Sequence, residues 1–264
     1  MADLGERLNK EKLDNYISVL LALRFMVSGL QDFVVERLKL KQTEIEQNHT
    51  LGRCNLNCSR TFGKSFSKWC NTCKHCKFEL RFLHRSSTHW NRIKWSEIDS
   101  KYFLNSFDEI AKVFVKDFHT VMQAVLKDFS AIMSLIRNAT LFDVSTQMID
   151  DNLRIRNSYC AHNSSAELNE SEKNICFYVF VRFLKIPEIK CTDTGRNALY
   201  LFKTLQLSHG IPDNILLDQE GRLALIEVVY ALHNDGNDQP MEYARTKIQK
   251  RLQEVTCLHN KRKR

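Results

Sequence analysis

Apolar side chains recur at helical spacing along most of this chain. Leu13, Ile17, Leu20, Leu21 and Phe25, then Leu30, Phe33, Val34 and Leu38, fall three and four residues apart. That period places them on one helix face. One long helix, or two in line, is expected over Lys10–Gln47, with Gly29 as a kink. Its far end, 36–46, alternates charge and reads as exposed. A helix over 107–118 carries Ile110, Val113 and Phe114, with Asn105 or Ser106 as its cap. Another, over 121–137, carries Val125, Phe129, Ile132, Met133, Leu135 and Ile136. In Thr146–Ile155 the apolar face is Met148, Ile149, Leu153 and Ile155. Its wet face is Asp150, Asp151, Asn152 and Arg154. In Glu170–Leu184, behind Asn169, apolar residues run almost all round, which predicts burial.

No alternating strand pattern interrupts this series, so the fold class is all-α. The 3 prolines, Pro187, Pro212 and Pro240, all fall late. Their absence before residue 187 suits long helices. Beyond Pro187, glycines and prolines punctuate shorter helices over 196–207, 222–233 and 241–255. The resulting organisation is a helical domain over 10–189, interrupted by an insert over 51–101. A C-terminal helical appendage over 190–258 and a basic tail over 259–264 follow. No secretion signal opens the chain, and no uninterrupted apolar stretch approaches membrane-spanning length. These features predict an intracellular protein, cytoplasmic or nuclear, without a membrane partner.

The net charge is +8, and the insert carries all of it: eleven Lys or Arg stand against Glu79, Glu97 and Asp99. Phe62, Phe66, Trp69, Phe78, Phe82, Trp90 and Trp95 interleave with those cations. Basic residues mixed with aromatics suit a polyanion such as RNA. The plainer reading is a solvated face over ordinary core aromatics.

The chain has 9 cysteines, an odd number that speaks for thiols or metal ligands over a disulfide framework. Five crowd the insert as Cys54-x3-Cys58 and Cys70-x2-Cys73-x2-Cys76. Cys54, Cys58, Cys70 and Cys73 are the favoured ligands for a structural zinc ion, which prefers four thiolates in a tetrahedron. Cys76, His75, His84 and His89 are alternates. Free thiols, with Cys76 opening a helix over 77–85, are the competing reading.

A third feature is Arg156-Asn157, then His162, near the end of the helix that begins at Thr146. On an unbroken helix Arg156 and His162 lie about 120° from alignment. They share a cleft only if the helix loosens near Cys160 or a second copy of the chain faces the first. Arginine grips phosphate and histidine titrates near neutral pH, a pairing suited to RNA cleavage. A cation favouring the helix C-terminal dipole is the plainer explanation.

The run Phe129-Ser130-Ala131-Ile132-Met133-Ser134-Leu135-Ile136-Arg137-Asn138, then Phe142, Ile155-Arg156-Asn157 and His162-Asn163-Ser164-Ser165, resembles the later helices of HEPN domains. The likeness is greatest to the type found in a DAZ-interacting ubiquitin ligase. Leu30-Gln31-Asp32-Phe33-Val34, Cys70-Asn71-Thr72-Cys73, His89-Trp90, Trp95, Glu109 to Phe114, Arg156-Asn157 and Ile186-Pro187-Glu188-Ile189 resemble an animal family named for a human chromosome-X open reading frame. This second resemblance runs over roughly 13–189.

The HEPN resemblance implies a helical bundle that dimerises. Many members cleave RNA without metal through an arginine and a histidine, so it marks Arg156, Asn157 and His162 as catalytic candidates. Two functions follow. The favoured one is a non-catalytic module that binds RNA or a protein partner, or dimerises. The alternative is a metal-independent endoribonuclease. In it His162 is the general base on a ribose hydroxyl, Arg156 stabilises the phosphoryl charge and Asn157 orients one or the other.

Overall fold

The computed structural model describes residues 2–48, 52–115, 125–161, 163 and 166–208. Beyond 208 it describes only 212, 215–216, 221–226, 228, 246, 248–250 and 253. The described residues form helices and no strand. A single antiparallel bridge pairs His84 with Ala139. The chain divides into two compact units, Met1–Gly29 with Asp151–Arg264, and Leu30–Asp150.

The first unit is built on α1 (Ala2–Gly29). Against it pack α9 (Glu170–Leu184) and α11 (Asp193–Gln206), which also touch each other. The short α10 (Pro187–Lys190) connects them, with proline at its start, where a missing N–H costs nothing. α9 has the bounds its pattern predicts. Asn169 caps it by accepting from the Glu172 N–H at 2.9 Å, and the Glu172 side chain takes the Asn169 N–H at 2.8 Å. It is not buried all round. Cys176, Phe177, Phe180, Phe183 and Leu184 are buried, whereas Tyr178 and Ile175 are exposed. Phe177 and Phe180 meet Phe202 of α11 with ring centroids 5.6 and 6.1 Å apart.

Gly29 breaks the long helix as expected, and two glycines, Gly29 and Gly195, mark close approaches between segments. Gly29 ends α1, and a Cβ there would meet the Ala198 Cβ at 2.6 Å. Its absent side chain lets α1 approach α11. Gly195 does not separate elements. It sits inside the first turn of α11 and donates to the capping Thr192 hydroxyl at 3.0 Å.

The second unit begins after the break at Leu30 with α2 (Gln31–Gln47). Then come α3 (Cys58–Phe62), α4 (Asn71–Phe82), α5 (Ser87–Arg92), α6 (Phe107–Lys112) and α7 (Phe129–Asn138). The expected helix over 121–137 is interrupted at 126–128 and runs on as Phe129–Asn138; 121–124 lie outside the described residues. The cap of α7 is Asp128, which accepts the Ala131 N–H at 2.7 Å. Of the expected 107–118 helix, 107–112 is helical; residues 116–124 lie outside the described set. Residues 87–101, whose pattern shows no helical period, hold α5 and then short 3-10 turns at Trp95–Glu97 and Ser100–Tyr102.

α8 (Thr146–Ile155) follows its pattern except at Asn152, which is buried rather than wet. Lys10–Gln47 contains an 18-residue window of mean hydropathy 1.6, enough by length and composition to cross a membrane. Within the fold 67% of that window is buried, as in a core helix. The expected 222–233 and 241–255 helices are described only at scattered residues, and the 259–264 tail lies outside the described residues.

Candidate metal centre

Cys54, Cys58, Cys70 and Cys73 come together in the second unit. Their sulfurs all lie within 4.8 Å of one another, and Cys54 and Cys58 Sγ are 3.7 Å apart. Ligands at about 2.3 Å from one tetrahedral ion stand roughly 3.8 Å apart, so the cluster fits a single metal ion. Among the described residues, Cys76, His75, His84 and His89 are not part of it.

Local backbone chemistry explains the convergence. Asn57 adopts the left-handed conformation at φ 50°, which asparagine tolerates better than most residues. That turn separates Cys54 from Cys58, the first residue of α3, and makes room for the extra residue in Cys54-x3-Cys58. α3 is fastened to the Ser100 turn by exchange: the Ser59 N–H donates to Ser100 Oγ, and the Ser100 N–H to Ser59 Oγ, both at 2.9 Å. Arg60 pairs with Asp99 beside it.

Cys70 does two jobs. It is the N-cap of α4, where its sulfur accepts the Cys73 N–H at 3.5 Å, and its own N–H donates to Cys58 Sγ at 3.2 Å. α4 therefore starts at Asn71, not at Cys76 or later, and Cys73 stands in its first turn. The Thr72 hydroxyl donates to the Gly52 carbonyl at 2.5 Å, tying that turn to the Cys54 loop. Beneath lie Trp69, Trp90 and Trp95, with Trp95 edge-on to each of the others at 5.3 Å. All three are buried.

Cys58 and Cys73 are fully buried, Cys54 nearly so, and Cys70 half-buried. Burial pushes the Cys58 and Cys73 thiols up. Burial also opposes ionisation of Cys54. Hydrogen bonds from the Cys58 backbone, the Cys73 thiol, the Leu56 backbone and the Cys70 thiol outweigh it and bring Cys54 to about 7. Cys54 is thus poised to ionise, while Cys58 and Cys73 need a cation to become thiolates. Cys76, on the buried inner face of α4, is pushed up to about 12 by burial and nearby Cys70.

Two of the three alternate histidines, His84 and His89, form a separate pair. His84 Nε2 and His89 Nδ1 are 2.7 Å apart, and His84 is stacked between His89 and Phe114. His84 carries a second hydrogen bond, from the Ser86 N–H at 3.1 Å.

Arg156 and Asn157 open a π-helical turn, Arg156–Ala161, that continues α8. The Arg156 Nη1 donates to the Asn157 side-chain oxygen at 3.1 Å at the surface. Cys160 is buried, and its carbonyl accepts from the Tyr16 hydroxyl of α1 at 3.3 Å. The loosening that the spacing requires is there. His162 lies outside the described residues.

The outer face of α4 held no place in the sequence reading beyond its composition. Lys74, Phe78 and Phe82 follow at four-residue spacing and are all exposed, and the two rings meet edge-on at 4.6 Å. Lys77 lies over Phe66 at 4.1 Å and Arg81 over Trp90 at 5.4 Å. The i, i+4 count could have found this stripe, because Thr72, Cys73, Cys76 and Leu80 define the opposite, buried face.

No curated protein and no solved structure matches the chain. The family model described as Domain of unknown function (DUF4559) matches residues 7–192, well over half the chain, and the protein belongs to that family.

Proposed function

We propose that the protein is a HEPN-like RNA-binding module whose basic insert is held in shape by a structural zinc ion. Zinc is the ion that four thiolates on short spacings suit best. Here it would join the Cys54 loop, α3 and the start of α4, and take no part in chemistry. The observation that carries the reading is the exposed Lys74–Phe78–Phe82 stripe, flanked by Lys77 and Arg81, on the helix that Cys70 and Cys73 begin. Exposed rings stack on unpaired bases while lysines and arginines follow the phosphates, a mode that tolerates sequence. It suits single-stranded RNA in the cytoplasm or nucleus, where thiols stay reduced.

The test is fluorescence anisotropy with mixed single-stranded RNA oligonucleotides. Stacking on one ring is typically worth about 1–3 kcal/mol per base. Phe78→Ala/Phe82→Ala should therefore weaken binding by at least about thirtyfold. Wild type that binds no RNA, or a double variant that binds equally, removes the proposal.

The π-helical turn at Arg156 favours a second reading, since such widenings gather at functional sites. In it the chain is a dimeric, metal-independent endoribonuclease using Arg156, Asn157 and His162. Incubation with mixed RNA beside Arg156→Ala and His162→Ala tests it, with the oligomeric state read by light scattering. Cleavage that is absent, or unaffected by both substitutions, ends this reading.

A further inference from the structure

The second unit contains a cavity of about 360 Å³ with a chemically one-sided wall. Its volume falls in the range of small-molecule sites. Arg92, Lys94, Lys112 and Arg137 line it, against the single carboxylate Glu97. None of Lys74, Phe78 and Phe82 does, so the cavity is independent of the α4 stripe.

The cations differ in readiness. Lys112 is held by Glu109 at 2.6 Å, with both side chains nearly buried. Lys94 and Arg137 form half-exposed pairs, with Glu97 at 3.5 Å and Asp150 at 3.0 Å. Exposed pairs of that kind are weak and exchange partners readily. Arg92 has no hydrogen-bond or ion-pair partner among the described residues, and its fork of donors matches oxyanions.

A hydroxyl adds a neutral donor. Asn138 donates to the Ser134 hydroxyl oxygen at 3.3 Å, which frees the Ser134 proton to point elsewhere. Ile93, Ile98 and Val115 supply an apolar side.

We propose that this cavity binds a small ligand carrying a phosphoryl group. A carboxylate offers two oxygens. A phosphoryl group offers three strong acceptors and up to two charges, which Arg92, Lys94, Arg137 and Ser134 together satisfy. The apolar side accommodates the carbon skeleton.

The experiment titrates the full chain with inorganic phosphate and with pyrophosphate by calorimetry, at about physiological ionic strength because screening weakens exposed charges. Wild type should bind pyrophosphate more tightly than phosphate. Arg92→Ala and Arg137→Ala should each weaken binding about tenfold or more, the loss expected for a charge-assisted hydrogen bond. Phe78→Ala/Phe82→Ala should bind as wild type does, which separates this site from the RNA surface. Arg137 is half exposed, so its variant keeps the test valid if Arg92→Ala does not fold. A 5′-phosphorylated RNA compared with its 5′-hydroxyl form, both on the Phe78→Ala/Phe82→Ala protein, distinguishes an RNA end from a free metabolite as the phosphoryl source. No binding of either anion by wild type overturns the proposal. Unchanged affinity in both arginine variants, or its loss in the phenylalanine double variant, does the same.

Discussion

His84 makes the second unit sensitive to acid. Its ring is 4% exposed, and its pKa falls from 6.5 to about 4. Burial is the main cause, and the neighbouring His89 and Arg81 push the same way. Above pH 6.5 the ring is neutral whether the chain is folded or unfolded, so His84 makes no demand on stability. Between pH 6.5 and 4 the unfolded chain takes up a proton that the folded chain refuses, and stability falls with pH. The whole gap corresponds to about 3 kcal/mol. About 2 kcal/mol of that is lost between pH 7 and pH 5.

All 3 tryptophans of the chain, Trp69, Trp90 and Trp95, lie in this unit, so their fluorescence reports its unfolding. With a urea slope of about 2 kcal/mol per molar, the midpoint should drop by about 1 M between pH 7 and pH 5. Other groups titrate as well, and the comparison is therefore with His84→Asn, whose side-chain oxygen can accept the Ser86 N–H. The variant should be less stable at pH 7 but lose clearly less on acidification. Equal losses in the two proteins would refute the reasoning.

Metal analysis of purified protein should find about one ion per chain, absent from Cys58→Ser and Cys73→Ser and retained by Cys76→Ser. Equal metal in all of them would place the ion elsewhere. Gly195→Ala should unfold the first unit at markedly lower temperature in a circular dichroism melt, because a Cβ there would sit 2.1 Å from the Ile189 carbonyl oxygen, a backbone atom that cannot step aside. Asn169→Ala removes one half of the capping box and should cost about 1 kcal/mol by urea denaturation, with no effect on bound metal.

Helix positions were legible wherever an apolar period met a capping residue. Glu170–Leu184 is the clearest case, since Asn169 and the two acids of its first turn fix the start. The period over 121–137 does not show the break at 126–128, because Val125 continues the spacing of Phe129 and Ile132. Periodicity alone does not show that Asp128 spends its carboxylate on the Ala131 N–H and restarts the helix there. Burial was harder to read than helicity. Ile175 and Tyr178 are apolar by type yet exposed, and Asn152 is polar yet buried. Which face turns inward depends on neighbours brought in from distant sequence. Gly195 shows the same limit: it looks like a breaker, yet it sits inside α11 where the Ile189 backbone comes close, and Gly29, which does break the helix, is also a close approach to Ala198.

The four cysteines were legible because a metal site is written in residue type and short spacing, and Cys54-x3-Cys58 with Cys70-x2-Cys73 needs little tertiary context. What spacing does not reveal is the link between that site and the surface beyond it. Cys70 is both a member of the cluster and the cap of α4, so the cluster and the helix share a starting point. A helix of twelve residues is marginal alone. α4 is held at its N-terminus by the Cys58 and Cys70 contacts and along its inner face by Cys76 and Leu80. Its outward turn is then fixed, and Lys74, Phe78 and Phe82 must face away from the cluster side. The phenylalanines are therefore not strays from the core. Their exposure follows from the register that Cys70 and Cys73 impose at the beginning of the helix.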